Sequence, residues 1–321
     1  MAAVDASRQP VVSGTAFAVR DAWPRPTLTR LTALGDELRY AAVFLPEIAG
    51  RDAIAALTGL ADSAPRLLLG TGVVPMTSRR PALTAMGMAT LQERSDGRAI
   101  LGLGTGPARA GALDELRTQV LEIRARLDAM TDPAATAGLV LDRQVPIWVA
   151  ALGPRAVALA GGIADGVLLN WCTLERVAEA RALLEEAADD AGRDPTSITV
   201  AAYIRAAIDD DPASDAGARR ALTAAAGEYA TYPAYRRQFD AMGVGAAAAA
   251  AARTGAAEIP PEAVEALLER VCLSGDAQRA RARLEEYRRA GCDLPIVYPV
   301  PFGADGQASV AHTLQAFAPS A

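Results

Sequence analysis

The sequence predicts an eight-stranded (β/α)8 barrel, and three observations lead there. Eight short apolar runs alternate with longer amphipathic stretches. The runs are apolar throughout rather than alternating, as strands covered on both faces are. The chain has 321 residues, 51% of them hydrophobic, which suits one large core. Repeated βα units lay helices over a parallel sheet, and eight of them close it into a barrel. An open doubly wound sheet normally uses fewer strands and leaves two edges to protect.

Taken in order, the first strand is expected at 11–19 (VVSGTAFAV), with a helical pattern at 27–39. The second is 41–45 (AAVFL), followed by a helix over 51–62. The third is 66–74, before a helix at 81–94. The fourth, 98–104 (RAILGLG), leads into a helix at 112–130. The fifth, 145–150 (VPIWVA), precedes a helix at 155–162, and the sixth, 165–170 (DGVLLN), one at 173–191. The seventh is 197–206 (SITVAAYIRA) and the eighth 294–300 (LPIVYPV). Between these last two, about residues 209–292 hold several helical segments, including 275–290. They are expected to form the seventh helix plus an insertion. No internal repeat or domain boundary stands out, so 1–321 is expected to be one domain.

The third strand does not end cleanly. In RLLLGTGVVP (66–75), Gly70 and Gly72 interrupt β-branched and apolar residues just before Pro75. A strand that only had to stop needs a single turn residue, so this spacing asks for a kink or a close approach.

Composition removes several kinds of chemistry. The formal net charge of -6 argues against a general nucleic-acid binder. The 32 basic residues are all arginine, so no Schiff-base lysine and no Walker-type phosphate loop is available. The single histidine, His312, is expected on a surface helix, and no metal site is expected. Cys172, Cys272 and Cys292 form no CxxC pair and read as free thiols in a reducing cytosol. Met1–Ala18 shows no basic region followed by an apolar run, and Ala246–Ala252 is too short to span a bilayer. A cytoplasmic protein acting on small molecules, without membrane or nucleic-acid partners, is the expectation.

In a (β/α)8 barrel the active site lies at the C-terminal ends of the strands. GLGTGP (102–107) is glycine-rich, but its spacing is not the GxGxxG of a dinucleotide fold. It reads as a ligand-approaching turn or as a plain turn. ALGPRAVALAGG (151–162) places Gly153, Pro154 and Arg155 at the start of a helix, a position suited to an anion. Arg79 and Arg80 follow the third strand, where they either hold an acidic ligand or are simply solvated. Glu47 ends the second strand and Asp21 lies past the first; acid–base work and turn roles are both open. Trp148 is expected in the core and Trp171 in the pocket wall.

Three ordered blocks carry a resemblance: VFLPEIAGRDA (43–53), LGTGVVPMTSRRPALTAMGMATLQERSDGRAILGLGTG (69–106) and VPIWVAALGPRAVALAGGIADGVLLN (145–170). They resemble the luciferase-like family of flavin- and deazaflavin-dependent oxidoreductases, most closely its branch using coenzyme F420. The resemblance implies a (β/α)8 barrel and, in many members, a non-proline cis peptide at the end of the third strand, here Gly72–Val73, against the cofactor ring. It implies that Thr105 and Gly106 border the cofactor and that Ala151, Leu152, Gly153 and Pro154 contact its phosphate. It also makes Glu47 the candidate for proton handling and a homodimer the expected assembly. Ile48 and Pro107 stand where relatives often carry a histidine and a glutamate, and the segment between GLGTG and VPIWVA is short. The expected function is hydride transfer between coenzyme F420 and a small organic substrate. An FMN-dependent monooxygenase and a non-catalytic deazaflavin- or flavin-binding protein are the alternatives.

Overall fold

A computed structural model describes residues 11–48, 50–107, 109–135, 138–209, 215–254 and 259–319. The first half of the chain runs β1 (Ala16–Ala18), α1 (Arg25–Glu37), β2 (Ala42–Leu45), α2 (Ala53–Leu60), β3 (Leu68–Thr71), β4 (Val74–Pro75), α3 (Pro81–Arg94), β5 (Ala99–Gly104) and α4 (Ala112–Ala129). It continues with β6 (Ile147–Ala150), α5 (Pro154–Ile163), β7 (Gly166–Asn170), α6 (Leu174–Asp190) and β8 (Thr199–Ile208). Then come α7 (Asp215–Ala230), α8 (Pro233–Ala241), α9 (Gly245–Thr254), α10 (Pro261–Val271), β9 (Cys272–Gly275), α11 (Ala277–Arg289), β10 (Leu294–Pro299) and α12 (Gly306–Ala316).

The strands pair in parallel in the order β1–β2–β3–β5–β6–β7–β8–β10, and β10 pairs back to β1, so the sheet closes. Ala16 sits opposite both Ile296 of β10 and Ala42 of β2, which sets the register at the seam. Each of the eight expected strand spans contains one staves' worth of this barrel. Proline opens several of the helices, as at Pro81 and Pro154, where its missing N–H has no helical acceptor to lose. Others carry a side-chain cap: Asp52 accepts from Ala55 N at 3.0 Å and Asp276 from Arg279 N at 2.9 Å.

The stretch between β8 and β10 is the expected seventh helix plus an insertion. It holds α7 to α11 and a strand, β9, that sequence patterning did not separate. Cys272 of β9 and Tyr298 of β10 both pair with Arg205 of β8. A strand has two edges, so β9 extends β8 on the edge that β7 uses lower down. Trp171, Leu222, Phe239 and Leu268 pack together in this region as a second core above the barrel. Among the described residues, no helix is long and apolar enough to cross a membrane.

The two ends of the barrel differ in chemistry. At the N-terminal end, Arg98 donates to the carbonyls of Ser95 (2.7 Å), Ala64 (2.6 Å), Leu67 (2.6 Å) and Ala61 (3.1 Å). This guanidinium ties the entries of β3 and β5 together. The C-terminal end is instead lined by glycines, aromatic rings and a second arginine.

Candidate active site

Side chains of alternate residues along each strand point into the barrel. Phe44, Ile100, Trp148, Leu168, Tyr203 and Ile296 form one buried interior cluster. Gly70 and Gly72 share the inward parity of β3, and both face aromatic rings. A Cβ at Gly70 would lie 2.3 Å from the Phe44 ring, and one at Gly72 would lie 1.6 Å from the Tyr203 hydroxyl. The two glycines in RLLLGTGVVP therefore make room for rings contributed by β2 and β8.

After Gly70 the chain leaves the β5 ladder and rejoins it at Val74, which pairs with Leu103. Between them Gly72 N donates to Leu45 O at 2.8 Å, and Val73 O accepts from Glu47 N at 3.2 Å. The Gly72–Val73 peptide bond is cis. This bulge, half-buried at the mouth, lies beside the end of β5, where a Cβ at Gly104 would approach Val73 Cγ2 at 2.8 Å. Thr105 follows, half-buried, with its hydroxyl on Gly106 O at 3.1 Å.

Next around the mouth is the start of α5. Ala151 N donates to Leu168 O at 3.0 Å, anchoring the turn to β7. Gly153 caps the helix with extended backbone and Pro154 begins it. No heavy atom lies within 4 Å of the point a Cβ on Gly153 would occupy, so the backbone there is open to an approaching group. The first turn also presents amides without intrahelical acceptors and the positive end of the helix dipole. Arg176, on the next helix, donates to Leu152 O at 3.2 Å and braces this turn. Its position one strand further on hid it from sequence reasoning.

Glu47 is the centre of a polar cluster. Its Oε1 accepts from Ser78 Oγ at 3.0 Å; its Oε2 accepts from Ala53 N at 3.1 Å and Arg79 Nη1 at 3.3 Å. Arg79 Nη1 also pairs with Asp52 Oδ2 at 2.9 Å. Burial works to raise the Asp52 carboxyl, but the Arg79 hydrogen bond and charge and the Ala55 and Ile54 amides outweigh it and hold it below its ordinary value. Asp21 Oδ2 accepts from Ile48 N at 3.1 Å and so fixes the loop after Glu47. A cleft of about 440 Å³, lined in part by Glu47, Arg51, Asp52, Ser78 and Arg79, opens from this cluster.

Of the two arginines after the third strand, Arg79 is turned to its own chain and Arg80 to solvent. Arg79 is spent on Glu47 and Asp52, two carboxylates of its own chain. Arg80 is exposed, its backbone capping α3. Arg109 pairs with Glu115 on the surface. His312 is exposed on α12, and Trp148 is buried inside the barrel.

The cation that does reach the mouth is Arg205, which sequence reasoning passed over inside a strand. It shares the inward parity of Ala201 and Tyr203, one layer higher. It is only 4% exposed. Its guanidinium carbon lies 4.2 Å from the Tyr298 ring centroid, 4.8 Å from Trp171 and 4.9 Å from Tyr229. Arg205 Nη1 donates to Asn170 Oδ1 at 2.8 Å, and Asn170 Nδ2 donates to Tyr235 Oη at 2.8 Å. No carboxylate among the described residues pairs with it. Burial raises the Tyr298 phenol to about 12 and pushes Tyr203 and Tyr235 up as well, so these neighbours are neutral at pH 7. An unpaired buried cation costs several kcal/mol, against about 0.5–2 kcal/mol from each ring face. Tyr203 Oη and Trp171 Nε1 are also buried without a hydrogen-bond partner among the described residues. A charged residue at the inward parity of an otherwise apolar run was the signal available for Arg205.

The mouth supplies no thiol nucleophile. Cys172, Cys272 and Cys292 are free and buried, and burial pushes each thiol up to about 12. Among the described residues, no three His, Cys, Asp or Glu side chains cluster as a metal site.

Comparison with known proteins agrees with this architecture. The chain is similar, at 34% identity over 191 residues, to the 5,10-methylenetetrahydromethanopterin reductase of Methanolobus tindarius, with 54% of this chain and 59% of the reductase aligned. The chain spans about half to three-fifths of the length of the curated relatives it matches. Its fold is that of the coenzyme F420-dependent tetrahydromethanopterin reductase of Methanopyrus kandleri (TM-score 0.71, 21% identity, 95% of this chain and 98% of that one). It is also that of an F420-dependent secondary alcohol dehydrogenase solved with an F420–acetone adduct (TM-score 0.74, 15% identity, 95% and 99%). The model of the luciferase-like monooxygenase family matches residues 20–294, and the chain belongs to that family.

Proposed function

We propose that the protein is a coenzyme F420-dependent oxidoreductase that transfers a hydride between the deazaflavin and a small organic substrate. The observation that carries this reading is the mouth itself. An open helix start at Gly153 stands beside a glycine-bordered floor at Gly72 and Gly104–Gly106, and no thiol nucleophile is at hand. The cofactor fits these residues. Gly153 leaves room for a phosphate against the first turn of α5, with Ala151, Leu152 and Pro154 framing it. Gly72, Val73, Thr105 and Gly106 border the space for the ring. When bound, the deazaflavin supplies the hydride chemistry; the protein supplies orientation, exclusion of water and proton handling. The similarity to a methanopterin reductase, and the F420-dependent enzymes that share the fold, favour the deazaflavin. A second reading, an FMN-dependent monooxygenase, draws on the description of the family as monooxygenases.

The chain is read as one domain over 1–321, since barrel strands occur from Ala16 to Pro299. Three free, buried thiols suit a cytoplasmic location. Ile48, Leu83 and Met86, all exposed apolar residues, offer surface for the proposed homodimer.

Titrating the purified protein with the deazaflavin and separately with FMN, read by ring fluorescence, tests the reading. Tight binding of the deazaflavin alone is expected. Binding of FMN alone turns the reading to oxygen chemistry, and binding of neither removes it. Glu47 is assigned the proton because its backbone N–H is bonded to Val73 O of the bulge and its carboxylate lines a solvent cleft with Ser78. Glu47→Gln keeps the shape and, with its oxygen toward Ala53 N and Arg79, gives up only the acceptor that faces Ser78 and the charge. It is expected to lower kcat by about 100-fold while deazaflavin affinity changes less than about threefold. An unchanged kcat would make Glu47 a loop-positioning residue only.

A further inference from the structure

We propose that Arg205 is the anion-binding residue of a substrate subsite at the barrel mouth, and that the group it takes is a planar carboxylate carried by the substrate. The inference deepens the oxidoreductase reading and rests on it only in calling the anion a substrate. Carboxylate binding is measured without turnover.

Arg205 is a cation whose contacts among the described residues are all neutral groups. Asn170 and Trp171 come from the end of β7, Tyr203 from β8, Tyr298 from β10, Tyr229 from α7 and Tyr235 from α8. A guanidinium has five N–H groups in one plane. Among the described residues Arg205 has a single hydrogen-bond acceptor, Asn170 Oδ1 at 2.8 Å. Tyr203 Oη, which faces Gly72, and Trp171 Nε1 are also buried without acceptors among those residues. Unmatched N–H donors on one buried charge describe the complement of an oxyanion.

The shape of the surroundings selects the anion. Three ring centroids lie 4.2–4.9 Å from the guanidinium carbon and crowd it. A carboxylate is planar and pairs with a guanidinium through two parallel hydrogen bonds. A phosphate is tetrahedral, and the barrel offers one a separate place at the start of α5, which follows β6 rather than β8. The aromatic walls also favour a substrate whose body is apolar. Ring faces that hold the cation in place before the ligand arrives spare the ordering of a long side chain on binding.

The test uses the full chain, with and without bound deazaflavin, and calorimetric titration of acetate, pyruvate, crotonate and benzoate. Each acid is compared with its neutral amide. At least one acid is expected to bind about tenfold or more tightly than its amide. Arg205→Met is expected to weaken that acid by about tenfold or more and leave the amide unchanged. Should Arg205→Met fail to fold, Arg205→Lys keeps the charge without the planar fork and is expected to weaken the acid about fivefold. The proposal is overturned if no acid binds, if acids and amides bind alike, or if the folded variant binds the acid as the parent does. It is also overturned if the variant loses the deazaflavin and not the acid, since Arg205 then serves the cofactor. Deazaflavin affinity, read in the same samples, separates the two readings: acid binding without deazaflavin binding removes the proposed function and leaves the anion site standing.

Discussion

Gly72→Ala is expected to destabilise the folded chain by about 2–3 kcal/mol and to weaken deazaflavin binding about tenfold or more. The added methyl group would lie 1.6 Å from the Tyr203 hydroxyl and 2.8 Å from Tyr203 Cζ. Something must move, and each neighbour is confined. Tyr203 is 7% exposed and meets Phe44 edge-on at 6.1 Å and Tyr298 at 5.9 Å. Gly72 N is tied to Leu45 O at 2.8 Å. Relief therefore comes from displacing the bulge, which is the floor assigned to the cofactor ring. Urea denaturation gives the stability change and fluorescence titration the affinity.

A second substitution separates this clash from any general effect of alanine. Tyr203→Phe removes a buried hydroxyl that has no partner among the described residues, so alone it is expected to be near neutral in stability. Combined with Gly72→Ala it removes the atom in closest conflict and restores part of the loss. A coupling of about 1 kcal/mol or more between the two sites is expected. Additive effects, or a Gly72→Ala protein as stable as its parent, would show that the Tyr203 ring does not set the identity of residue 72.

The barrel was legible because its signal is local. Runs such as SITVAAYIRA and LPIVYPV are apolar, bounded and about strand length, and each became a strand at the expected place. The mouth was legible only in part. Glycine-rich turns at 70–75, 102–107 and 151–154 show on the page because glycine and proline mark backbone conformations directly. What each glycine accommodates does not show. Phe44 and Tyr203, the rings above Gly70 and Gly72, lie 26 and more residues away in sequence and meet them only once the barrel closes. Arginine pairing was hidden for the same reason. Arg79 looked available for a ligand until Glu47 and Asp52 were brought to it. Arg205 looked unremarkable inside a strand until closure left it without a carboxylate partner among the described residues. β9 escaped notice because CLSG is short and follows a helix without a break.

Arg98→Met is the counterpart of Gly72→Ala at the other end of the barrel, and its effect is expected on stability alone. The guanidinium donates to four backbone carbonyls, those of Ser95, Ala64, Leu67 and Ala61. These groups close the turns that lead into β3 and β5. Methionine keeps the stem and packs against the same chain, but it leaves the carbonyls without a donor. Burial already pulls the Arg98 guanidinium down from its ordinary value, against the charges of Asp96, Asp36 and Asp62, so the group is partly withdrawn from water that would otherwise compete for it. Hydrogen bonds to charged groups contribute about 1.5–3 kcal/mol each and do not add simply; water refills some of the exposed sites. A loss of about 3 kcal/mol is expected, seen as a lower urea midpoint at unchanged slope. Deazaflavin affinity is expected to stay within about twofold of the parent, since residues at the N-terminal face of such barrels support the fold while those at the C-terminal face carry the chemistry. A variant that kept its stability but lost the cofactor would reverse that assignment of the two ends.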